Sequence, residues 1–152
     1  MHDQEIHIKR RHLPHWTLSG ATYFVTFRLR SRALSVQEQK VALGHIKRGN
    51  GRYYHLIAVV VMPDHVHLLL TPNSEYDLSR ITKGVKGVTA RQINRLRHTE
   101  GQVWQHESYD RIVRDENELI EKLNYMLNNP VKEGLTEDPW EYHGWYCSDD
   151  PR

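Results

Sequence analysis

Hydrophobic and β-branched residues are concentrated in three short runs in the first half of the chain. Residues 21–30 have the sequence ATYFVTFRLR, residues 53–62 have YYHLIAVVVM, and residues 65–71 have HVHLLLT. These compositions are typical of β-strands. The turn signal Pro63-Asp64 separates the last two runs, which predicts that they form a hairpin. The apolar half of the second run indicates a strand that is buried on both faces.

The segment after the first predicted strand carries the signals of a helix. Ser35 and Glu38 have the spacing of a capping box, in which the serine caps the helix and the glutamate bonds back to its backbone. The helix should run to about Lys47 and end at the glycine-rich residues 49–51. The positions that we expect it to bury are Val36, Leu43 and Ile46.

A second helix is predicted by apolar residues that recur with helical spacing. One face carries Leu78, Ile81, Val85 and Val88 and continues towards Leu96. The opposite face is basic, and we expect its four side chains to face solvent: Arg80, Lys83, Arg91 and Arg95.

The last third of the chain predicts a short extended pair over residues 102–113, followed by a third helix. That helix should begin at Asp115, with acidic residues in its first turn, and end near Asn128 because Pro130 stops it. The order of elements is then β-α-β-β-α-(β)-α. It predicts an α+β fold with a ferredoxin-like β-α-β-β-α-β core, a central antiparallel sheet and an extra C-terminal helix.

The length of 152 residues suits one domain, so we treat residues 1–152 as a single domain with an N-terminal arm (1–19) and a C-terminal tail (136–152). Cys147 is the only cysteine, which fits a reducing compartment. No apolar run approaches the ~20 residues of a membrane helix, and the first residues lack a signal peptide's apolar core. We therefore expect a cytoplasmic protein with no membrane partner.

Basic and acidic residues are separated along the chain. The formal net charge is only +2, but residues 1–52 carry a net +7 and residues 80–114 a net +5, whereas residues 115–152 carry a net −7. A basic segment that folds onto one face is an electrostatic footprint for nucleic acid. A solvated surface of mixed charge is the alternative that charge alone leaves open.

His65-Val66-His67 is the sharpest local motif. Residues i and i+2 of a strand point to the same face, so the two imidazoles should lie side by side, facing out from a buried strand, while Val66 points into the core. Imidazole is a common ligand of divalent metals, and such a pair is half of a metal site. In a chain with eleven histidines the triplet also arises by chance, and two unrelated histidines are the alternative.

Tyr125 is placed unusually on the third predicted helix. The apolar stripe of that helix is Leu119, Ile120, Leu123 and Leu127, and Tyr125 lies on the far side from it. One interpretation is a nucleophile on a rigid helix, with the amide of Asn129 one turn later able to reach a metal. The other is a half-exposed tyrosine that packs beside a neighbouring element. Asn129 precedes a proline, so it could instead be a helix C-cap, and Tyr109 is a rival nucleophile.

These features together resemble the HUH single-tyrosine transposases, and within them the REP-associated tyrosine transposases. HUH stands for His-hydrophobic-His, which His65-Val66-His67 matches. The resemblance spans about residues 20–135 and rests on these blocks: GATYFVTF at 20–27, MPDHVHL at 62–68, LSRI at 78–81, KG at 86–87, VWQ at 103–105, YDR at 109–111, Tyr125-x-x-x-Asn129-Pro130-Val131, and GL at 134–135.

The resemblance implies a function as well as a fold. It implies Mg²⁺ or Mn²⁺ held by His65, His67 and Asn129, with Tyr125 as the nucleophile that nicks DNA and transfers strands through a 5′-phosphotyrosine. The substrate it implies is single-stranded DNA that bears a REP-like hairpin. We expect a monomer, with a homodimer as the alternative. The residues expected to contact DNA are Arg80, Lys83, Arg91, Arg95 and Lys122.

Two other functions remain open at this point. One is a domesticated protein that binds palindromic DNA without cutting it. The joint presence of the proposed site residues argues against this function: His65, His67, Tyr125 and Asn129. The other is a metal-dependent hydrolase that uses water in place of tyrosine. A covalent protein–DNA adduct distinguishes the transferase from both.

Overall fold

The computed structural model describes residues 6–9, 20–149 and 152. Most of the predicted N-terminal arm therefore lies outside the described residues. None of the helices in the described part of the chain is both long and apolar enough to cross a membrane. In chain order the elements are β1 (Thr22–Leu29), α1 (Val36–Arg48), β2 (Tyr54–Val61), β3 (His65–Pro72), α2 (Leu78–Arg97), β4 (Trp104–Val113), α3 (Glu116–Lys132), a short 3₁₀-helix (Pro139–Glu141) and β5 (Trp145–Cys147).

The strands form one antiparallel sheet in the order β4-β1-β3-β2-β5. The first four strands and the helices α1 and α2 are the ferredoxin-like core that the sequence predicted. The prediction of a short extended pair over residues 102–113 is wrong: this segment is a single strand, because it pairs along its length with β1 and not with itself. The predicted tail supplies β5, which extends the sheet by pairing with β2.

The two faces of the sheet are covered by different helices. Val66 and Leu68 of β3 belong to the core beneath α1 and α2, together with Ile46 and Ile81. Leu69, one residue on, belongs to a second core beneath α3. Alternation along β3 therefore places Val66 in the first core, as predicted, and turns the odd-numbered residues towards α3.

Helix α1 has the predicted capping box, in which Ser35 and Glu38 bond to each other's backbone. The expected burial of Val36 is wrong, since its side chain is 51% exposed. Val36 is the first residue of the helix, where solvent reaches its side chain. Ile46 is buried as expected, and the stripe that reaches it runs through Gln39 and Ala42.

The buried stripe of helix α2 begins as predicted but follows a different path in the second half of the helix. Ile81 and Val85 are buried as expected, but Leu96 is 38% exposed. The stripe continues instead through Thr89 and Ile93, both fully buried. Thr89 can be buried because its hydroxyl donates to the Val85 carbonyl (2.7 Å) and accepts from the Trp104 indole (2.9 Å).

Helix α3 does not stop at Pro130, as predicted, but continues through it to Lys132. Proline removes one backbone donor without forbidding a final turn. Gly134, whose φ is +72°, turns the chain away after the last helical residue. The Leu135 amide donates to the Pro130 carbonyl at 2.8 Å, and the Gly134 amide donates to the Val131 carbonyl at 3.0 Å. This pair of bonds is a Schellman motif, which satisfies the last carbonyls of the helix.

Candidate active site

Strand β3 places His65 and His67 side by side on the face of the sheet that α3 covers. Their ring centroids lie 4.7 Å apart. The shared face was predicted, but the pair does not face out: the side chains are buried, with 8% and 3% of their surface exposed. They are buried because α3, which the sequence did not place, packs over this part of the sheet.

Each histidine has its Nδ1 atom engaged by a neighbouring side chain. Nδ1 of His65 lies 2.6 Å from the carboxylate of Asp64, and Nδ1 of His67 lies 2.7 Å from the hydroxyl of Thr26 on β1. The second nitrogen of a metal-binding histidine is held in this way in metalloproteins, where the contact fixes the ring's orientation and tautomer. Both Nε2 atoms are therefore the ones left for a further ligand.

The surroundings of the two Nε2 atoms fit a cation. Nε2 of His67 is buried with no hydrogen-bond partner among the described residues. Nε2 of His65 lies 3.1 Å from Oδ1 of Asn129. With the His65 proton on Nδ1 facing Asp64, this Nε2 and the amide oxygen are both acceptors, and a cation between them would satisfy both.

His67 is held in the neutral form that metal binding requires. Burial lowers the pKa of His67 to about 3, and electrostatic interactions with His65, Arg28 and Lys122 act in the same direction. No cluster of three His, Cys, Asp or Glu side chains that could hold a metal occurs in the described part of the chain. A metal here would thus take two imidazole nitrogens and the amide oxygen of Asn129.

Asn129 is a helical residue and not a C-cap, since α3 extends beyond it. Its side chain is buried and reaches His65 on the sheet. Tyr125, one turn earlier, presents its ring to His67 with the centroids 5.4 Å apart and the planes inclined at 65°. The Tyr125 side chain is 46% exposed, so it meets both the histidine pair and solvent.

Helix α3 is fixed from two sides. The apolar residues Leu119, Leu123 and Leu127 are fully buried against the sheet, as their spacing predicted. On another flank, Asn124 and Asn128 hold the backbone of residues 6–8. The amide of Asn128 accepts from the Ile6 backbone N–H (2.8 Å) and donates to the Ile6 carbonyl (2.6 Å), and Asn124 makes the equivalent pair of bonds to Ile8.

The asparagine contacts were missed by the sequence reasoning. Two asparagines four residues apart share a helix face, which was a visible signal. Their partner is 116 to 122 residues away in the chain, and nothing in the sequence of the arm identifies it.

An open cavity of about 470 Å³ lies beside Tyr125, over β1 and β4. Its lining includes His67, Lys122 and Tyr109. Lys122 places its ammonium 5.1 Å from the ring centroid of Phe24, and that ring stacks on His67 at 5.1 Å. Tyr109, the rival nucleophile, therefore borders the same site as Tyr125, which the sequence did not indicate.

The predicted DNA-contacting residues fall into two groups. Lys122 lies at the site. The other four are exposed, as predicted, but α2 packs on the opposite face of the sheet from the histidine pair. Arg80 additionally lies over the ring of Tyr76, at 5.5 Å, where it lines a second cavity of about 610 Å³ between α1 and α2. The members of the second group are Arg80, Lys83, Arg91 and Arg95.

A ferredoxin-like sheet whose central histidine pair faces a tyrosine on a covering helix is the arrangement expected of an HUH transposase. Comparison with known proteins agrees. Residues 24–128, more than half of the chain, match the family described as "Transposase IS200 like". The chain belongs to the IS200-like transposase family, and it is an enzyme of this tyrosine transposase class.

Two individual proteins that the chain resembles are REP-associated tyrosine transposases. The chain is 28% identical over 145 residues to a REP-associated tyrosine transposase of Haemophilus influenzae, covering 84% of this chain and 81% of the relative. It is 28% identical over 123 residues to a REP-associated tyrosine transposase of Escherichia coli, covering 77% and 70%. The predicted resemblance to the REP-associated group is confirmed.

Solved structures confirm the fold. A REP-associated tyrosine transposase bound to a REP hairpin superposes with a TM-score of 0.65 at 24% identity, covering 88% of this chain and 80% of that one. A transposase from Deinococcus radiodurans superposes with a TM-score of 0.51, also at 24% identity, covering 76% and 95%.

Proposed function

We propose that this transposase nicks single-stranded DNA beside a REP-like hairpin and transfers the strand through a covalent bond to Tyr125. The observation that carries the proposal is the position of Tyr125, whose ring lies 5.4 Å from that of His67 while Asn129 of the same helix reaches His65. The hairpin is proposed because a fold neighbour is a REP-associated transposase bound to one.

His65, His67 and Asn129 would hold a divalent metal, Mg²⁺ or Mn²⁺. When bound there, the metal would neutralise the charge of the scissile phosphate and orient it. The chain's contribution is to hold both imidazoles in one orientation and one tautomer. Asp64 and Thr26 do so through the two Nδ1 atoms.

Tyr125 supplies the nucleophile. Its Oη attacks phosphorus, the P–O3′ bond breaks, the phenolic proton leaves, and the 3′-oxygen ends as a hydroxyl. A 5′-phosphotyrosine and a free 3′-OH result, and attack by another 3′-OH reverses the step without ATP. A free tyrosine, with a pKa of about 10, is protonated at neutral pH. Lys122, which lines the same cavity, supplies a cation that can activate the nucleophile.

The DNA would contact both faces of the sheet. The exposed basic residues of α2 suit the phosphates of a duplex stem. The single strand beside the stem would then reach the cavity over β1 and β4, where Arg28 and Lys122 provide positive charge. We propose that the DNA-contacting set is Arg80, Lys83, Arg91, Arg95 and Lys122.

A monomer is sufficient for this chemistry. His65, His67, Asn129 and Tyr125 of one chain already lie together, so no partner residue is needed to complete the site. We therefore propose that the active form is monomeric.

The test uses an end-labelled hairpin oligonucleotide with single-stranded flanks, incubated with the protein and Mn²⁺. We expect nicked DNA and a covalent adduct on a denaturing gel, both abolished by EDTA and by His65→Ala or His67→Ala. His55→Ala, which removes an exposed histidine on β2, is the matched control and should be active. Nicking at full rate in EDTA would overturn the metal role. Nicking without an adduct would favour a hydrolase that uses water. Binding without nicking would favour a domesticated protein that only binds DNA.

A further inference from the structure

Tyr109 is an exposed aromatic residue on the strand that borders the site. Its side chain is 60% exposed, the largest exposed fraction among the large hydrophobic side chains of the described residues. A tyrosine on an edge strand needs no functional explanation in itself, because aromatic residues favour strands. Its position relative to the histidine pair is what suggests a functional role.

The strand register places Tyr109 in line with the site. Thr26 is the cross-strand partner of both His67 on β3 and Tyr109 on β4. Directly paired residues of neighbouring strands point to the same face. His67, Thr26 and Tyr109 therefore form a row across the α3-facing side of the sheet, with Tyr109 two strand spacings, about 10 Å, from His67.

The other aromatic rings of the site are already engaged. Phe24 stacks on His67 with the planes inclined at only 21°, and Lys122 lies against its ring. Tyr125 contacts both Phe24 and His67. The Tyr109 hydroxyl lies 3.5 Å from the Glu107 carboxylate, at the limit of a hydrogen bond, and no ring contact covers its faces among the described residues. Tyr109 is thus the aromatic residue of the cavity whose ring faces are accessible to a ligand.

The charge of the cavity suits a nucleic-acid strand. Arg28 and Lys122 line it together with Tyr109, and its described lining contains no acidic residue. Cations that track a phosphate backbone beside an aromatic ring on which a base stacks are the two elements of single-strand binding.

We propose that Tyr109 is a stacking platform for the nucleobase that flanks the scissile phosphate. The inference rests on the proposed function, since it assumes that a phosphate of single-stranded DNA lies between His67 and Tyr125. Tyr109 is then a positioning residue: it holds the neighbouring nucleotide, and so fixes the phosphate in front of Tyr125, without taking part in the bond exchange.

The experiment measures binding separately from cleavage, in a Tyr125→Phe background that cannot form the covalent bond. The probe is a hairpin oligonucleotide with single-stranded flanks that carry 2-aminopurine at one position at a time. Tyr109→Thr removes the ring but keeps a residue that favours strands, and Tyr109→Phe keeps the ring. Ile112→Thr changes an exposed residue of the same strand that lies on the opposite face, and is the matched control.

We expect the fluorescence of one flanking 2-aminopurine to be quenched on binding, and Tyr109→Phe and Ile112→Thr to preserve the quenching. Tyr109→Thr should abolish it and weaken binding about 10-fold, within the range measured for base–aromatic stacking. An abasic site at the same position should weaken binding of the Tyr125→Phe protein similarly, and should have little further effect on the protein that also carries Tyr109→Thr.

Unchanged quenching and affinity in Tyr109→Thr would overturn the inference. So would loss of the covalent adduct in Tyr109→Phe made in the wild-type background, since that result would give the hydroxyl a chemical role. Failure of the Tyr125→Phe protein to bind the probe would overturn the proposed substrate as well. Intact binding and quenching with no adduct from the wild type would overturn the nicking mechanism alone.

Discussion

Nε2 of His65 on β3 lies 3.1 Å from the amide oxygen of Asn129 on α3, although the two residues are 64 positions apart in the chain. The buried stripe of Leu119, Leu123 and Leu127 sets the rotation of α3 that allows this approach. Tyr125 lies one helical turn before Asn129, so the same rotation brings its ring over His67. One helix therefore carries both the proposed third metal ligand and the proposed nucleophile, and a shift of the helix would displace both.

The hydroxyl of Thr26 should control metal affinity through His67. Thr26→Val has a similar shape but removes the 2.7 Å contact with Nδ1. Loss of such a supporting contact weakens metal binding by roughly 10- to 100-fold. Calorimetric titration with Mn²⁺ measures the change, and Thr26→Ser should restore most of the affinity.

Thr22→Val is the control for this experiment. It removes a buried hydroxyl from the same strand, where Thr22 bonds to Thr71 at 2.7 Å, away from the histidines. Equal Mn²⁺ affinity in Thr26→Val and the wild type would show that Thr26 does not orient a metal ligand.

The asparagine contacts with the arm should stabilise the fold. Asn124→Ala or Asn128→Ala each removes two hydrogen bonds to the backbone of residues 6–8. We expect each change to lower the free energy of unfolding by roughly 1–2 kcal/mol and to speed hydrogen exchange at the Ile6 and Ile8 amides. Asn117→Ala, an exposed position of the same helix, should do neither. Unchanged exchange at both amides in the double variant would refute the role of these contacts.

The ion pair between Glu38 and Arg97 should make stability depend on pH. The guanidinium donates to the carboxylate at 2.8 and 3.0 Å and both side chains are largely buried. These hydrogen bonds hold the pKa of Glu38 below its ordinary value of 4.5. A carboxyl whose pKa is lower in the folded state contributes stability above its unfolded pKa, and that contribution is lost as the pH falls through the folded value.

Glu38→Gln should therefore lower the free energy of unfolding at pH 7 by roughly 1–3 kcal/mol, because a buried guanidinium loses its charged partner. The difference from the wild type should shrink as the pH falls below 4.5, the ordinary value of the group. Urea unfolding at a series of pH values measures it, with the exposed Glu121→Gln as control. A difference independent of pH would contradict this account of the pair.

The basic face of α2 should contribute to DNA binding without regard to base sequence. Arg91→Ala and Arg95→Ala should each weaken binding of the hairpin and reduce the slope of log K against log salt by about 0.9. Lys132→Ala, an exposed lysine of α3, is the control. An unchanged slope after removal of both arginines would place the duplex stem elsewhere on the protein.

The parts of the site that follow from local periodicity could be predicted from the sequence. The shared face of His65 and His67 follows from the two-residue repeat of a strand, and the shared side of Tyr125 and Asn129 from the spacing of a helix. The burial of the histidines could not be predicted in this way, because it depends on where α3 packs.

Other differences arose where a tertiary contact overrode a local signal. Pro130 favoured the end of α3, but Gly134 closes the helix one turn later with a Schellman motif. A polar residue, Thr89, occupies a buried position of the α2 stripe because the Trp104 indole on β4 donates a hydrogen bond to its hydroxyl. The position of Tyr109 beside the site depended on the register between β1 and β4, which no local pattern specifies.

The central claim is that Tyr125 forms the covalent bond with DNA, and mass-spectrometric mapping of the trapped adduct tests it most directly. The wild-type protein should carry a nucleotide on the peptide that contains Tyr125. Tyr125→Phe, which removes one oxygen and little volume, should bind the hairpin but yield no adduct, and Tyr109→Phe should yield the adduct on Tyr125. A nucleotide on Tyr109, or on neither tyrosine, would contradict the account.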